Sequence, residues 1–581
     1  MRLPAGTALL VAVALVLSTP ITAQKATRRP LLAADIDDIA TLLRLEDTRQ
    51  FDLAVLSRLV GSGGSGHPEV KRRAIISIGR IANEQGRALL TSLHGETDPV
   101  MLGALAFATG QLKDPGAVAW LGDILSNAKT PPAAAKEAAQ ALGKIANPEA
   151  RIALAAYLTK AIATPATTPV IGEALLSLGR FTTKEDLTPI VRWTSARDPE
   201  IRWRAAWSLF RPKDPAAVPH LLRLSADASP DVRFWALRGL APAQVDQSGV
   251  SRADASTRLR QALNDPDRRV RTEAIRALIA YDDDASFEAV VTTLSASDTW
   301  LSVSASEAWL ATSAAEQLAK SPARAARVIA AFTDLSAPSK PLTLRLSALT
   351  PLVTLAPDTA RTLANALAKS ASVVAQQAAA TAVRQLDAAA ARAAQAASGV
   401  AATPPAGRGG AGRGNGAARP ALVARPDAEY RALVTQWIVP DYNGAPRPHV
   451  LLTTPRGQID VELFPGDAPF GVEYLIKVVE SGEIVNTEFG RVVPNFVDQQ
   501  RAIRNEGSLR DEVNQYGLRR GTLSWASSGL DTGRPGYTLG STPQPHNEGN
   551  FTALGRVVKG IEVVDRIELG DKITRASIPK R

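Results

Sequence analysis

Few side chains in this 581-residue chain have a type and spacing suited to chemistry, and the gaps are informative. No cysteine occurs, which excludes disulfides, a thiol nucleophile, a thiolate metal site and a bacterial lipid-attachment Cys. No two of the five histidines (His67, His94, His220, His449, His546) lie at helical ligand spacing, and no acidic pair accompanies them, so no metal or other cofactor is expected. Asp282, Asp283 and Asp284 lack the glycine and terminal Glu of a calcium loop and read as a solvated turn. Two G-x-G-x-x-G strings, Gly61-Gly63-Gly66 and Gly407-Gly409-Gly412, follow no predicted strand, so neither reads as a dinucleotide cradle. Trp203 and Trp207 at i, i+4, with Trp235 one repeat later, read first as a helix-packing stripe and second as aromatic anchors for a partner. What remains is a constellation in the last quarter of the chain, and the elements before it must present it.

Those elements are mostly helical. The chain is 45% hydrophobic and 21% charged, which rules out global disorder, and aromatics are only 5%, which favours closely packed Ala-rich helices. A period begins near residue 67: HPEVKRRAIISIG, DPVMLGALAFATG, TPVIGEALLSLG, DPEIRWRAAWSLF, SPDVRFWALRGLA, DPDRRVRTEAIRALI. Ala74, Ala104, Ala138, Ala174, Ala205, Ala236, Ala274 and Ala305 align at spacings of 30 to 38, with weaker copies through Ala348 and Ala378. Asp-Pro starts a helix, Asp as N-cap and Pro at its first position. Two antiparallel helices per repeat, stacked sideways, make an α-solenoid. The D-P-x-V-R-x-x-A-x-x-A-L pattern resembles HEAT repeats over about residues 50–385. That resemblance implies a curved scaffold with a protein partner on its surface.

The ends of the solenoid read differently. Arg2 followed by ALLVAVALVL (Ala8 to Leu17) and small residues to Ala23 is a three-part secretory pattern. The run is too short to span a bilayer, so residues 1–23 are expected to be cleaved near Ala23 and the protein exported, to the periplasm. No transmembrane segment is expected. The solenoid is placed at 30–386. Residues 387–428, rich in Ala, Gly, Pro and Arg, read as a flexible linker. The net charge of +10 is modest, fits anionic surfaces, and predicts no specific nucleic-acid partner.

From residue 440 to 581 the period changes from 3.6 to 2. VLLTTPRGQIDVELF reads as strand, turn and strand, and Ala468 to Gly482 as a helix. ELFPGDAP, FGRVVPNF and GRVVKGIEVVDRI, in that order, resemble a cyclophilin-type peptidyl-prolyl isomerase over about 447–581. The expected fold is therefore multidomain: an all-α HEAT-like solenoid followed by a mainly-β cyclophilin-like eight-stranded barrel with two capping helices. The resemblance implies catalytic Arg491, Phe496 and Gln499, and substrate contacts from Val497, Ala526, Ser527, Tyr537 and His546. X–Pro bonds rotate slowly because amide conjugation imposes a barrier of about 18–20 kcal/mol. A fixed Arg donating to the prolyl nitrogen would favour the twisted state, with no covalent step. The implied substrates are proline-containing polypeptide clients recruited by the helical arm.

The sequence also departs from the family. Gln499-Gln500-Arg501-Ala502 replaces Gln-Gly-Gly-Asp, and Gly490 replaces the His before the Arg. Gly536 stands where a substrate-binding Gln belongs, Thr538 where a pocket Phe belongs, and Asn547 where a Leu belongs, with Tyr537 a candidate to fill in. His546 occupies the position that is Trp in cyclosporin-sensitive members, so weak inhibitor binding is expected. The eroded positions motivate an alternative: a catalytically weak module that holds Pro-containing segments.

Overall fold

The computed structural model describes residues 28–61, 66–182, 186–397, 424–501, 509–527 and 529–579. The predicted signal segment, most of the predicted linker, and all or part of both G-x-G-x-x-G strings lie outside them.

The turn chemistry works as its residues dictate. Asp98 accepts from the amides of Val100 and Met101, and Asp198 from that of Glu200, each with Pro at the first helical position. The arginine of the repeat pattern has a further task. Arg202 pairs with Asp227 and Arg233 with Asp265, both at 2.7 Å, so each repeat clips the turn that precedes the next. The marked helices pack on one another in chain order: Ala33–Thr48, Pro68–Ile81, Pro99–Gln111, Pro132–Ile145, Thr168–Leu178, Pro199–Phe210, Pro230–Leu237, Arg268–Leu278, Thr299–Ala308, Leu342–Leu355 and Val373–Ala397. This is an inner row, backed by an outer one.

Small residues set the spacing. Each aligned alanine from Ala74 to Ala348 is buried, whereas at the last copy the buried residue is Ala379 and not Ala378. A Cβ on Gly79 would sit 2.7 Å from the Ala108 Cα, and one on Gly143 would sit 2.6 Å from the Ser177 side chain. Trp203, Trp207 and Trp235 are buried, and Trp203 stacks on Trp235, so the stripe is helix packing. The last helix runs to Ala397, past the expected boundary at 386, because an alanine run favours helix over coil.

The C-terminal sheet has eight antiparallel strands: β1 His449–Thr454, β2 Gly457–Leu463, β3 Phe489–Val493, β4 Val497–Gln500, β5 Thr522–Ala526, β6 Arg534–Gly540, β7 Ala553–Lys559 and β8 Arg575–Ser577. Their order is β3-β4-β6-β5-β7-β2-β1-β8. The start of β3 and the residues before it bond the approach to β8 (Phe489 N–H to the Asp571 carbonyl, Ile573 N–H to that of Thr487), which curls the sheet closed. One capping helix is substantial, Pro469–Glu480; the other, Ile561–Val564, is a single turn.

The barrel is held by the inner row. Arg49, Arg73, Arg80, Arg180, Arg268 and Arg276 donate to barrel carbonyls of Asp511, Gly466, Val513 with Asp467, Pro545 with Glu548, Asp565, and Pro494 respectively. At the far end, Glu488 accepts from Ser372 Oγ and the Val374 amide at the start of the last helix. At the near end, Tyr430 donates to Asp47, tying the Asp427–Leu433 helix to the first repeat. A guanidinium fork suits such carbonyl-rich surfaces, and a hydrogen bond to a charged group contributes about 1.5–3 kcal/mol. These six arginines therefore serve contact between the two parts of this chain.

Candidate active site

The β3–β4 hairpin carries most of the expected site. Arg491 pairs across the ladder with Gln499, Gln499 with Thr538, and Thr538 with Ser524, giving one row across four strands. Cross-strand partners share a face. All four line one cavity of about 1170 Å³, as do Phe496, Val497, Ala526, Ser527 and His546. The Arg491 guanidinium lies 5.4 Å from the centre of the Phe496 ring, and the His546 ring stacks on Phe496 at 6.2 Å. Among the described residues Arg491 makes no hydrogen bond to protein, so its donors face the cavity. Burial lowers its pKa from the usual arginine value, opposed by Glu307. No hydrogen bond joins Gln499 to Arg491 among the described residues.

Tyr537 requires correction. Its side chain is fully buried in the barrel core, where burial pushes the phenol pKa far up. The period of a strand is two, so lining by Gly536 and Thr538 places Tyr537 on the opposite face. The floor beneath the Arg491 row is polar instead: Ser524 Oγ and Thr538 Oγ1 lie 2.8 Å apart.

Other cavity residues had not been singled out. Phe551 and Leu518 add apolar wall, and Gln544 donates to the Phe496 carbonyl at 3.2 Å. Phe551 lies four positions before the GRVVKGIEVVDRI motif and five after His546. The solenoid also lines the cavity, through Arg80, Gln111, Lys113 and Lys144 among others. No local signal marks those residues, because docking alone brings them there.

Two contacts with the solenoid hold the walls in place. The turn between β3 and β4 sits against the Arg268–Leu278 helix. Asn495, at φ 60°, donates to the Arg269 carbonyl at 2.8 Å and to Glu273 at 2.7 Å, while Arg276 donates to the Pro494 carbonyl at 2.8 Å. Burial pushes the Glu273 carboxyl pKa up, but Arg238 and Arg276 outweigh it and hold the group below the ordinary range. On the other wall, Arg49 pairs with Asp531 at 2.6 Å and bonds the Asp511 carbonyl, steadying the loop from 510 to 514.

Behind the site lies Asp498, paired with Val492 in the ladder and fully buried. Neither carboxyl oxygen has a hydrogen-bond partner among the described residues. Burial, reinforced by Asp565, raises its pKa well above the ordinary value.

Residues 449–580 match the family model for cyclophilin type peptidyl-prolyl cis-trans isomerases, and 156–241 and 222–311 match HEAT repeats. The C-terminal part is 30% identical over 136 residues to a peptidyl-prolyl cis-trans isomerase of Synechococcus elongatus, covering 22% of this chain and 94% of that protein. The chain belongs to the cyclophilin-type peptidyl-prolyl cis-trans isomerase family. Peptidyl-prolyl cis-trans isomerase B of Bacillus subtilis is 32% identical over 122 residues, 20% of this chain and 85% of that protein. A crystal structure of a Cryptosporidium parvum cyclophilin type isomerase aligns at 21% identity over 23% of this chain and 99% of that one, with a TM-score of 0.22. The cyclophilin domain thus carries the isomerase constellation, and the helices before the HEAT match form one wall of its cavity. Among the described residues no helix is long and apolar enough to cross a membrane, and no group of three or more His, Asp and Glu side chains is placed to hold a metal ion.

Proposed function

We propose that this chain isomerises X–Pro bonds in polypeptide segments that enter the cavity between barrel and solenoid. The observation that carries the reading is the free guanidinium of Arg491 beside the Phe496 ring in a shared cavity. As the amide twists, conjugation is lost and the lone pair localises on the prolyl nitrogen. Arg491 donates to that lone pair and so binds the twisted state more tightly than either planar isomer. Phe496, Val497 and His546 receive the pyrrolidine ring, and Ala526 and Ser527 flank the preceding residue. The test is isomerisation of Ala-Pro peptides by the full chain. Arg491→Ala is expected to lose roughly 100-fold or more in rate, by analogy with removing a transition-state donor. Equal rates for both proteins would sink the enzyme reading.

The Thr538–Ser524 floor favours a second reading. A polar floor where the family has Phe weakens the grip on the ring, leaving a module that binds Pro segments and turns them over slowly. Peptide binding with no Arg491-dependent rate distinguishes it.

The wider role follows from the ends and the outer face. The secretory pattern at Arg2 to Ala23 supports export to the periplasm. Amino-terminal sequencing of the protein from a periplasmic fraction tests it: a start after Ala23 is expected, and an intact leader overturns it. The barrel occupies the inner row, so recruitment of clients would fall to the outer helices, where Leu53 and Ile152 are exposed.

A further inference from the structure

The cavity around Arg491 has a wall that the barrel does not supply, and that wall is basic. Three successive inner helices end on it. Arg80 lies in the last turn of Pro68–Ile81, Gln111 and Lys113 at the end of Pro99–Gln111, and Lys144 in the last turn of Pro132–Ile145. Helix C-termini favour such cations, because unpaired carbonyls gather there. Close packing keeps them adjacent: a Cβ on Gly110 would lie 2.8 Å from Ala141, so only glycine admits this approach. Gln111 then reaches Lys144, its amide oxygen accepting from Nζ at 2.9 Å when the amide is oriented to satisfy both neighbours. The same Nζ lies 5.1 Å from the centre of the Phe107 ring.

The charges on this wall are not balanced within the cavity. Arg80 is committed to Glu46 and to the Val513 and Asp467 carbonyls. Lys113 is exposed and has no ion pair among the described residues. Lys144 has no carboxylate within ion-pair distance among the described residues. Of the buried acids nearby, Glu137 pairs with Lys136 and Glu548 with Arg519, while Glu173 accepts from the Gln140 amide at 3.4 Å. Burial, then Arg180, lowers the Lys144 pKa to about 7, against the opposing pull of Glu137, Glu173 and Glu548. The solenoid lining contains no acid. On the barrel side the acid is Asp511, whose carboxylate already accepts from the Asp531 amide and the Thr552 hydroxyl. The cavity volume of about 1170 Å³ exceeds the roughly 300–1,000 Å³ of small-molecule sites, so it accommodates residues flanking a proline as well as the ring.

We propose that the solenoid wall is a specificity subsite, in which Lys113 and Lys144 select polypeptides bearing an acidic side chain near the proline held by Arg491 and Phe496. This rests on the isomerase reading for where the proline sits, and it makes the solenoid part of the substrate site.

The experiment uses the full chain and labelled Ala-Pro peptides carrying Glu, Gln or Lys at positions flanking the dipeptide. Affinity by fluorescence anisotropy and turnover are measured separately. Glu peptides are expected to bind at least about 10-fold more tightly than Lys peptides at low ionic strength, a preference that added salt reduces. Lys113→Glu is expected to cut the Glu-over-Lys ratio at least 3-fold, and Lys113→Glu with Lys144→Met to abolish it. Lys129→Glu, on an exposed turn outside the cavity, is expected to leave the ratio unchanged. Equal affinity for Glu and Lys peptides, absence of peptide binding, or a preference that survives the double substitution would overturn the subsite. Charge-blind turnover removes the subsite and leaves the isomerase. A Lys-dependent Glu preference without turnover removes the isomerase and leaves the subsite. Should Lys144→Met fail to fold, Lys113→Glu on its exposed turn decides.

Discussion

Asn495 donates its side-chain amide to Glu273 at 2.7 Å, across 222 residues of sequence. The bond fastens the turn of the hairpin that carries Arg491, Phe496 and Gln499 to a solenoid helix. Asn suits both demands: it tolerates the positive φ of 60° and reaches two acceptors with one amide.

Glu273→Ala removes that acceptor and frees Arg238 and Arg276. Loss of one partner of a buried ionic cluster costs about 3–5 kcal/mol of stability. The hairpin is expected to shift, so kcat should fall at least 10-fold while KM for a short peptide changes less than 3-fold. Glu273→Gln retains an acceptor for Asn495 and is expected to recover part of kcat. Steady-state kinetics on both variants, with Tm alongside, checks this. Unchanged kcat in Glu273→Ala would show that the clamp does not position the site.

Arg49→Ala tests docking at the opposite wall. Asp531 is fully buried, and burial raises its pKa, but Arg49 outweighs this and holds it below the usual value. Removing the arginine leaves the charge uncompensated, and about 3–5 kcal/mol of stability is expected to be lost. Urea unfolding measures it. A biphasic transition is expected if the barrel separates from the first repeats before the solenoid unfolds.

Asp498 gives a pH dependence of definite sign. Its folded pKa lies well above the unfolded value near 3.9. The folded state therefore holds the proton longer than the unfolded state. Stability from this group is intact below about pH 4 and is lost as pH rises towards and through the folded pKa. Glu512 acts in the same direction, its pKa pushed by burial up to about 8. Asp498→Asn keeps the shape without the ionisation. It is expected to be more stable than wild type by an amount that grows from pH 5 to pH 8. Denaturant midpoints at those pH values check it, and a constant difference would refute the assignment.

His546 stacks on Phe496 where inhibitor-sensitive cyclophilins have Trp. The wild-type chain is expected to bind cyclosporin no more tightly than micromolar, and His546→Trp to bind it at least 10-fold more tightly. Calorimetric titration measures both. A nanomolar wild-type constant would overturn this reading.

Much of the architecture was legible locally. Asp-Pro turns, 3.6-residue periodicity and buried alanines announce the helical repeats, because capping and close packing act over a few residues. Strand alternation and three ordered motifs announce the barrel and put Arg491, Phe496 and Gln499 on it. Tyr537 reads in sequence as a substrate contact instead: with Thr538 facing the cavity, strand alternation turns Tyr537 into the core. The sequence therefore determined the two folds and put Arg491, Phe496 and Gln499 on the barrel, but not Leu518, Gln544 and Phe551 of the same cavity. It did not determine that the solenoid closes on the barrel. That contact is built from arginines meeting backbone carbonyls, and a carbonyl acceptor is present at every residue whatever its side chain, so no pattern of residue types marks it. Only the tertiary structure brings Glu273 to Asn495, Arg49 to Asp531, and Lys113 and Lys144 into the cavity of Arg491.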